Sequence, residues 1–101
     1  MKIHLIISEN FTDETTLGKR HKGIFYDRDT QNTIYEYRVD MDVNGQIEYA
    51  EIDAFRGQPL LARFNCPYAP NAWHTISPID EGDLLDRAIK LIEREYGKAI
   101  E

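Results

Sequence analysis

Tyr35-Glu36-Tyr37-Arg38-Val39-Asp40-Met41-Asp42-Val43, followed at once by Asn44-Gly45, is the stretch that decides the fold. Its odd positions are apolar or aromatic and four of its even positions are charged. Strict alternation of β-favouring side chains predicts a strand with one wet face. Asn-Gly is the pair that best tolerates positive φ at both positions of a type I′ turn, so a two-residue hairpin is expected there. Residues 46–55 then form the return strand. With Asn44 and Gly45 as the loop, Val43 faces Gln46, Val39 faces Ala50, Tyr37 faces Ile52 and Tyr35 faces Ala54. The other face sets Arg38 against Glu51, Ile34 against Phe55 and Glu36 against Asp53. The last is a like-charge pair, which Arg38 can offset from its diagonal position.

Working outward toward the N-terminus, residues 3–7 read as a buried strand and residues 24–26 as a short one, with a turn over 27–32. Between them, residues 9–22 are polar and read as a long loop carrying the basic run Lys19-Arg20-His21-Lys22. Toward the C-terminus, Gly57-Gln58-Pro59 reads as a turn and residues 60–64 as a strand. Pro67 and Pro70 stiffen the loop over 66–71, and residues 73–76 form a short edge strand. Ser77-Pro78-Ile79-Asp80 resembles a helix entry, with a second start at 80–83. Leu85, Ala88, Ile89, Ile92 and Tyr96 then recur at helical spacing, widened by Leu84 and Leu91, up to a stop at Gly97. Asp83 with Arg87 and Asp86 with Lys90 are favourable i,i+4 pairs. The expected fold is α+β over residues 1–101. It is an antiparallel meander of about five to six strands with one amphipathic helix, Leu85, Ala88, Ile89 and Ile92 lying on the sheet face that holds Tyr37 and Val39.

A chain of 101 residues is one domain. A net charge of −6 disfavours non-specific binding of nucleic acid and suits a basic protein partner. A single cysteine, Cys66, cannot form an internal disulfide, which points to a reducing, cytoplasmic setting. No stretch approaches the ~20 apolar residues of a membrane span, and the N-terminal apolar run is too short for a signal peptide.

Four groups of residues are candidates for chemistry. The first is the run from Lys19 to Lys22, where His21 could move a proton beside a gripped phosphate. Its plainer reading is a solvated loop. The second is the outer hairpin face, where Glu36, Asp40, Asp42, Glu51 and Asp53 gather around Arg38. These carboxylates suit a basic partner better than a metal ion, since Arg38 sits in their midst. The third is Cys66 with His74, more simply a small thiol and an edge-strand histidine. The fourth is the surface of Pro67, Tyr68, Pro70 and Trp73, of a composition enriched at protein contacts. His4, between Ile3 and Leu5, reads as structural. Phosphate-loop, dinucleotide, paired-cysteine and H-E-x-x-H motifs are absent, so no cofactor or metal is expected.

Tyr35-Glu36-Tyr37-Arg38, Asn44-Gly45, Asp53-Ala54-Phe55-Arg56-Gly57 and Ala62-Arg63-Phe64, in that order before the helix, resemble TumE-type proteins of bacterial toxin–antitoxin loci and their small relatives. The resemblance covers residues 35–96. It implies a toxin–antitoxin or anti-defence setting, and Asp53, Gly57 and Arg63 are the positions that match. The chain departs from the pattern at Leu60, Leu61, Ala62 and Arg63, where the family carries histidines. With no complete catalytic set, the expected function is a non-catalytic, acidic interaction or regulatory module. It would bind through Glu36, Arg38, Asp40, Glu51, Asp53, Tyr68 and Trp73. A TumE-like ribonuclease toxin using His21, Arg56 and Arg63 is the rival, and the only reading that brings in nucleic acid. A homodimer paired along an edge strand is a third expectation.

Overall fold

The computed structural model describes residues 2–16, 18–54, 60–65, 73–75 and 83–97. It contains β1 (Leu5–Glu14), β2 (Gly18–Asp27), β3 (Thr33–Asp42), β4 (Ile47–Asp53), β5 (Leu60–Asn65), the three-residue β6 (Trp73–Thr75) and α1 (Leu84–Tyr96). Every strand pairs antiparallel with its sequence neighbour, so five strands form an up-and-down meander and β6 lies along its β5 edge. The helix covers one face. Among the described residues, no helix is long and apolar enough to cross a membrane.

The central hairpin carries the expected pairs: Glu36 with Asp53, Tyr37 with Ile52, Arg38 with Glu51 and Val39 with Ala50. Its turn is longer than Asn-Gly alone predicts. The Asp42 amide donates to the Gln46 carbonyl and the Gly45 amide to the Asp42 carbonyl, which closes a three-residue loop over Val43, Asn44 and Gly45. Gly45 supplies the positive φ of 79°. Val43 therefore does not face Gln46, and 76% of it is exposed. The register recovers because Glu48 is an extra residue between Ile47, opposite Met41, and Tyr49, opposite Asp40. One loop residue too many near the turn is cancelled by one bulge residue in β4.

Of the polar segment over residues 9–22, residues 9–14 and 18–22 are strand and not loop. They form the outer half of β1 and the first half of β2, and β2 pairs with β3 along nearly its whole length. Ladder hydrogen bonds, rather than buried apolar area, hold this extension, so hydrophobic pattern gives no sign of it. The turn over 27–32 forms as expected around Asp27, a buried carboxylate that accepts from the His4 amide at 3.1 Å and the Thr30 hydroxyl at 3.0 Å.

The core joins Phe25, Tyr35, Val39, Ile52, Leu61 and Phe64 of the sheet to Leu84, Ala88 and Ile92 of the helix. The expected helix stripe is rotated slightly. Leu84, Ala88, Ile92 and Tyr96 are the buried row, while Leu85, Ile89 and Leu91 flank it half-buried. Both i,i+4 ion pairs form, Lys90 to Asp86 at 3.2 Å and Arg87 to Asp83 at 3.8 Å. The expected entry at Ser77-Pro78 lies outside the described residues.

Gly23 positions the aromatic side of the core. It stands directly opposite Tyr37, and a Cβ there would meet the Tyr37 ring and the Ser8 carbonyl oxygen. The bare backbone lets the ring lie across β2 toward β1. Replacing Gly23 with Ala should lower unfolding free energy by about 1–3 kcal/mol in denaturant titration, because ring or strand must move. A loss under about 0.5 kcal/mol would mean that Tyr37 does not rest on residue 23.

Candidate functional site

The two sheet faces carry different chemistry. On the outer face, away from the helix, opposed residues form rows across the strands. Lys22, Arg38, Glu51 and Arg63 make one row, and Asp13, Arg20, Asp40 and Tyr49 another. Asp40 accepts from two guanidinium groups: Arg20 at 2.9 and 3.3 Å, and Arg38 at 3.3 and 2.7 Å. Burial works against its ionisation, but those hydrogen bonds overcome it and hold its carboxyl below the usual range. Arg38 also lies 5.1 Å from the Tyr49 ring centroid.

Glu36, Glu51 and Asp53 have a different environment. With Arg38 and Lys22 they border a surface cavity of about 390 Å³. Burial, then a hydrogen bond with Glu51, then the charges of Glu51 and Glu36 push the Asp53 carboxyl up to about 7. Asp42 does not join them, because its carboxylate accepts the Asn44 and Gln46 amides of the turn at 2.9 and 3.0 Å. Glu36, Arg38, Asp40, Glu51 and Asp53 are half-buried rather than freely exposed. Trp73 is not on this face. It stands opposite Phe64, rings 6.0 Å apart, and packs against the core. Arg56, Cys66 and Tyr68 lie outside the described residues, and only the backbone of His74 is described.

On the helix face, a polar cluster forms where the end of α1 meets the β1–β2 extension. In β1, Glu9 pairs with Gly23 but Phe11 pairs with Lys22, so Asn10 is a bulge residue. The bulge puts Glu9 and Thr12 on one face, although they are three apart. Both reach His21. The Glu9 carboxylate lies 2.9 Å from His21 Nδ1 and the Thr12 hydroxyl 3.3 Å from it, while Thr12 also donates to Glu9. The Tyr96 hydroxyl donates to Glu9 at 3.1 Å and bonds to the Tyr37 hydroxyl. The His21 and Tyr96 rings are 4.9 Å apart. The Thr12 hydroxyl keeps the Glu9 carboxyl below its ordinary value, and Tyr96 and His21 add to that effect against the pull of burial. Burial pushes Tyr37 up to about 12, and pushes Tyr96 up further with help from Tyr37 and Glu9. Both phenols therefore stay protonated as donors. A carboxylate at Nδ1 selects the tautomer with its proton there, leaving Nε2 as the basic nitrogen.

The basic run splits between the faces. Lys19 and His21 face the helix side, while Arg20 and Lys22 face outward. Arg63 stands opposite Glu51 on the outer face, and His21 opposite buried Val39 on the inner one. His21 and Arg63 of the ribonuclease reading thus lie on opposite sides of the sheet and do not converge. Sequence reasoning missed the Glu9–Thr12–His21–Tyr37–Tyr96 cluster, since a bulge, a helix end and a glycine create it and none leaves a spacing signature. Among the described residues, no group of three or more His, Cys, Asp or Glu is arranged to hold a metal ion. Comparison of the chain with family models, with curated proteins and with solved structures returns no match.

The Asp53 environment has a consequence for stability. Its folded value of about 7 exceeds the ordinary 3.8, so the folded state holds a proton that the unfolded state releases. That contribution is complete below about pH 4 and is lost as pH rises through 7. An Asp53→Asn variant should match the parent below about pH 4 and be more stable at pH 8. The expected gain is about 1–2 kcal/mol, since solvent screening reduces the full linkage energy. Equal unfolding curves at pH 8 would show that the carboxyl is ordinary.

Proposed function

We propose that the protein is a non-catalytic interaction module that takes a basic side chain of a protein partner on its outer sheet face, at Glu36, Glu51 and Asp53. The observation that carries this reading is that three carboxylates border one cavity on the face the helix leaves uncovered. The nearest guanidinium, Arg38, is already engaged by Asp40. The raised value of Asp53, set first by burial and then by Glu51 and Glu36, marks a place where a proton is held on a carboxyl. A lysine or arginine entering the cavity would add a positive charge beside Asp53 and release its proton. The separation of His21 from Arg63 favours this reading over RNA cleavage. The single cysteine supports a cytoplasmic role, and the TumE-type resemblance a toxin–antitoxin or anti-defence setting.

Capture from the native host tests the reading. The chain should recover a basic protein, and Glu36→Lys with Asp53→Lys should abolish recovery while far-ultraviolet circular dichroism stays unchanged. For the parent, salt should slow association more than it speeds dissociation, and affinity should be higher at pH 8 than at pH 6. Recovery unaffected by the charge reversal, or RNA cleavage by the purified chain with no partner retained, would overturn it.

A further inference from the structure

On the helix face, beyond the end of α1, a cleft of about 550 Å³ lies between the β1–β2 hairpin tip and the β3–β4 turn. That volume is within the range of small-molecule sites. Glu14, Lys19, His21, Met41 and Val43 line it.

Three features give the cleft a chemical preference. Glu14 and Lys19 are directly opposed in the β1–β2 ladder, yet no ion pair joins them. Opposite charges so placed, both at a cleft mouth, suit a ligand carrying both charges on neighbouring atoms. His21 is held by Glu9 and Thr12 through Nδ1 and lies tilted against Tyr96, so the position of its Nε2 is fixed. Of its side chain, 13% is exposed. Met41 and Val43 provide an apolar wall, and 76% of Val43 has no cover in the chain itself. The other lining carboxylate, Asp42, is occupied by the amides of its own turn.

We infer that this cleft binds a small zwitterion with an apolar side chain, an α-amino acid. Its ammonium group is taken by Glu14 and His21 Nε2, its carboxylate by Lys19 and its side chain by Met41 and Val43. An ammonium and a carboxylate on one carbon match the span of a cross-strand residue pair. With Nδ1 turned to Glu9, His21 presents Nε2 to the ammonium. The site lies on the opposite face from the partner surface and does not depend on it.

The test is a titration of the full chain with L-leucine, followed by amide and histidine-ring nuclear magnetic resonance shifts. Saturable shifts are expected at Glu14, Lys19, His21 and Met41, with a dissociation constant of about 1 mM or below. Three analogues divide the ligand: 4-methylpentanoate lacks the ammonium, 3-methylbutylamine lacks the carboxylate and glycine lacks the side chain. Each should bind about tenfold more weakly or worse. Lys19→Gln and Glu14→Gln change exposed positions and leave the core intact, and each should weaken L-leucine about tenfold. His21→Phe keeps an aromatic ring against Tyr96 and should also weaken it. No saturable shift with L-leucine would overturn the inference. So would equal affinity for either single-charge analogue, or unchanged binding in both rim variants.

Discussion

The absence of a side chain at Gly23 is the constraint on which the arrangement of this protein depends. It gives the Tyr37 ring room to cross β2 and place its hydroxyl at the end of the helix. Tyr96 meets it there and donates onward to Glu9, which holds His21. A chain of hydrogen bonds thus runs from the central strand through the helix end to the edge strand. Apolar burial along Leu84, Ala88 and Ile92 supplies most of the docking energy, at about 1.5–3 kcal/mol for each large aliphatic side chain. The polar chain adds less, about 1 kcal/mol per bond, but it is directional. It sets where along the sheet the helix stops, and so where the cleft begins.

The two faces follow from the same geometry. A helix on one side of a meander leaves the other side to charge, and rows of opposed residues then decide which charges meet. Where rows set Arg20 and Arg38 on either side of Asp40, the network closes on itself. Where they set Glu36 against Asp53 with Glu51 beside it, burial and the neighbouring carboxylates together keep a proton on Asp53. The inner face is built differently. Its polar groups at the helix end are oriented by neighbours, and the bulge at Asn10 aims Glu9 and Thr12 at one imidazole.

Much of the fold was legible because period-2 alternation and 3.6-residue spacing report directly on which side chains must be buried. Residues 35–43 and 84–96 are the clearest cases. The hairpin register was legible for a less secure reason. The extra loop residue at the turn and the bulge at Glu48 have equal and opposite effects, so a two-residue turn yields the right pairs from Glu36 to Asp40. The β1–β2 extension was illegible because its strands are held by backbone hydrogen bonds and bury little. With residues 9–22 taken as a loop, Glu9, Thr12 and His21 could not be placed on a common face. The outer-face carboxylates were found because alternation alone lists them. Their pairing was not, since Asp42 turns back into its own loop and Asp40 is shared by two arginines.

The coupling between the two phenols tests this account most directly. Tyr37→Phe, Tyr96→Phe and the double variant form a thermodynamic cycle in which no carbon atom of either ring is lost. If the hydroxyls bond to each other and transmit the position of β3 to the helix end, the cycle should return an interaction energy of about 1 kcal/mol or more in equilibrium unfolding. Effects that add within about 0.3 kcal/mol would show that the two residues act independently, and would contradict the claim that this chain of bonds sets the helix against the sheet.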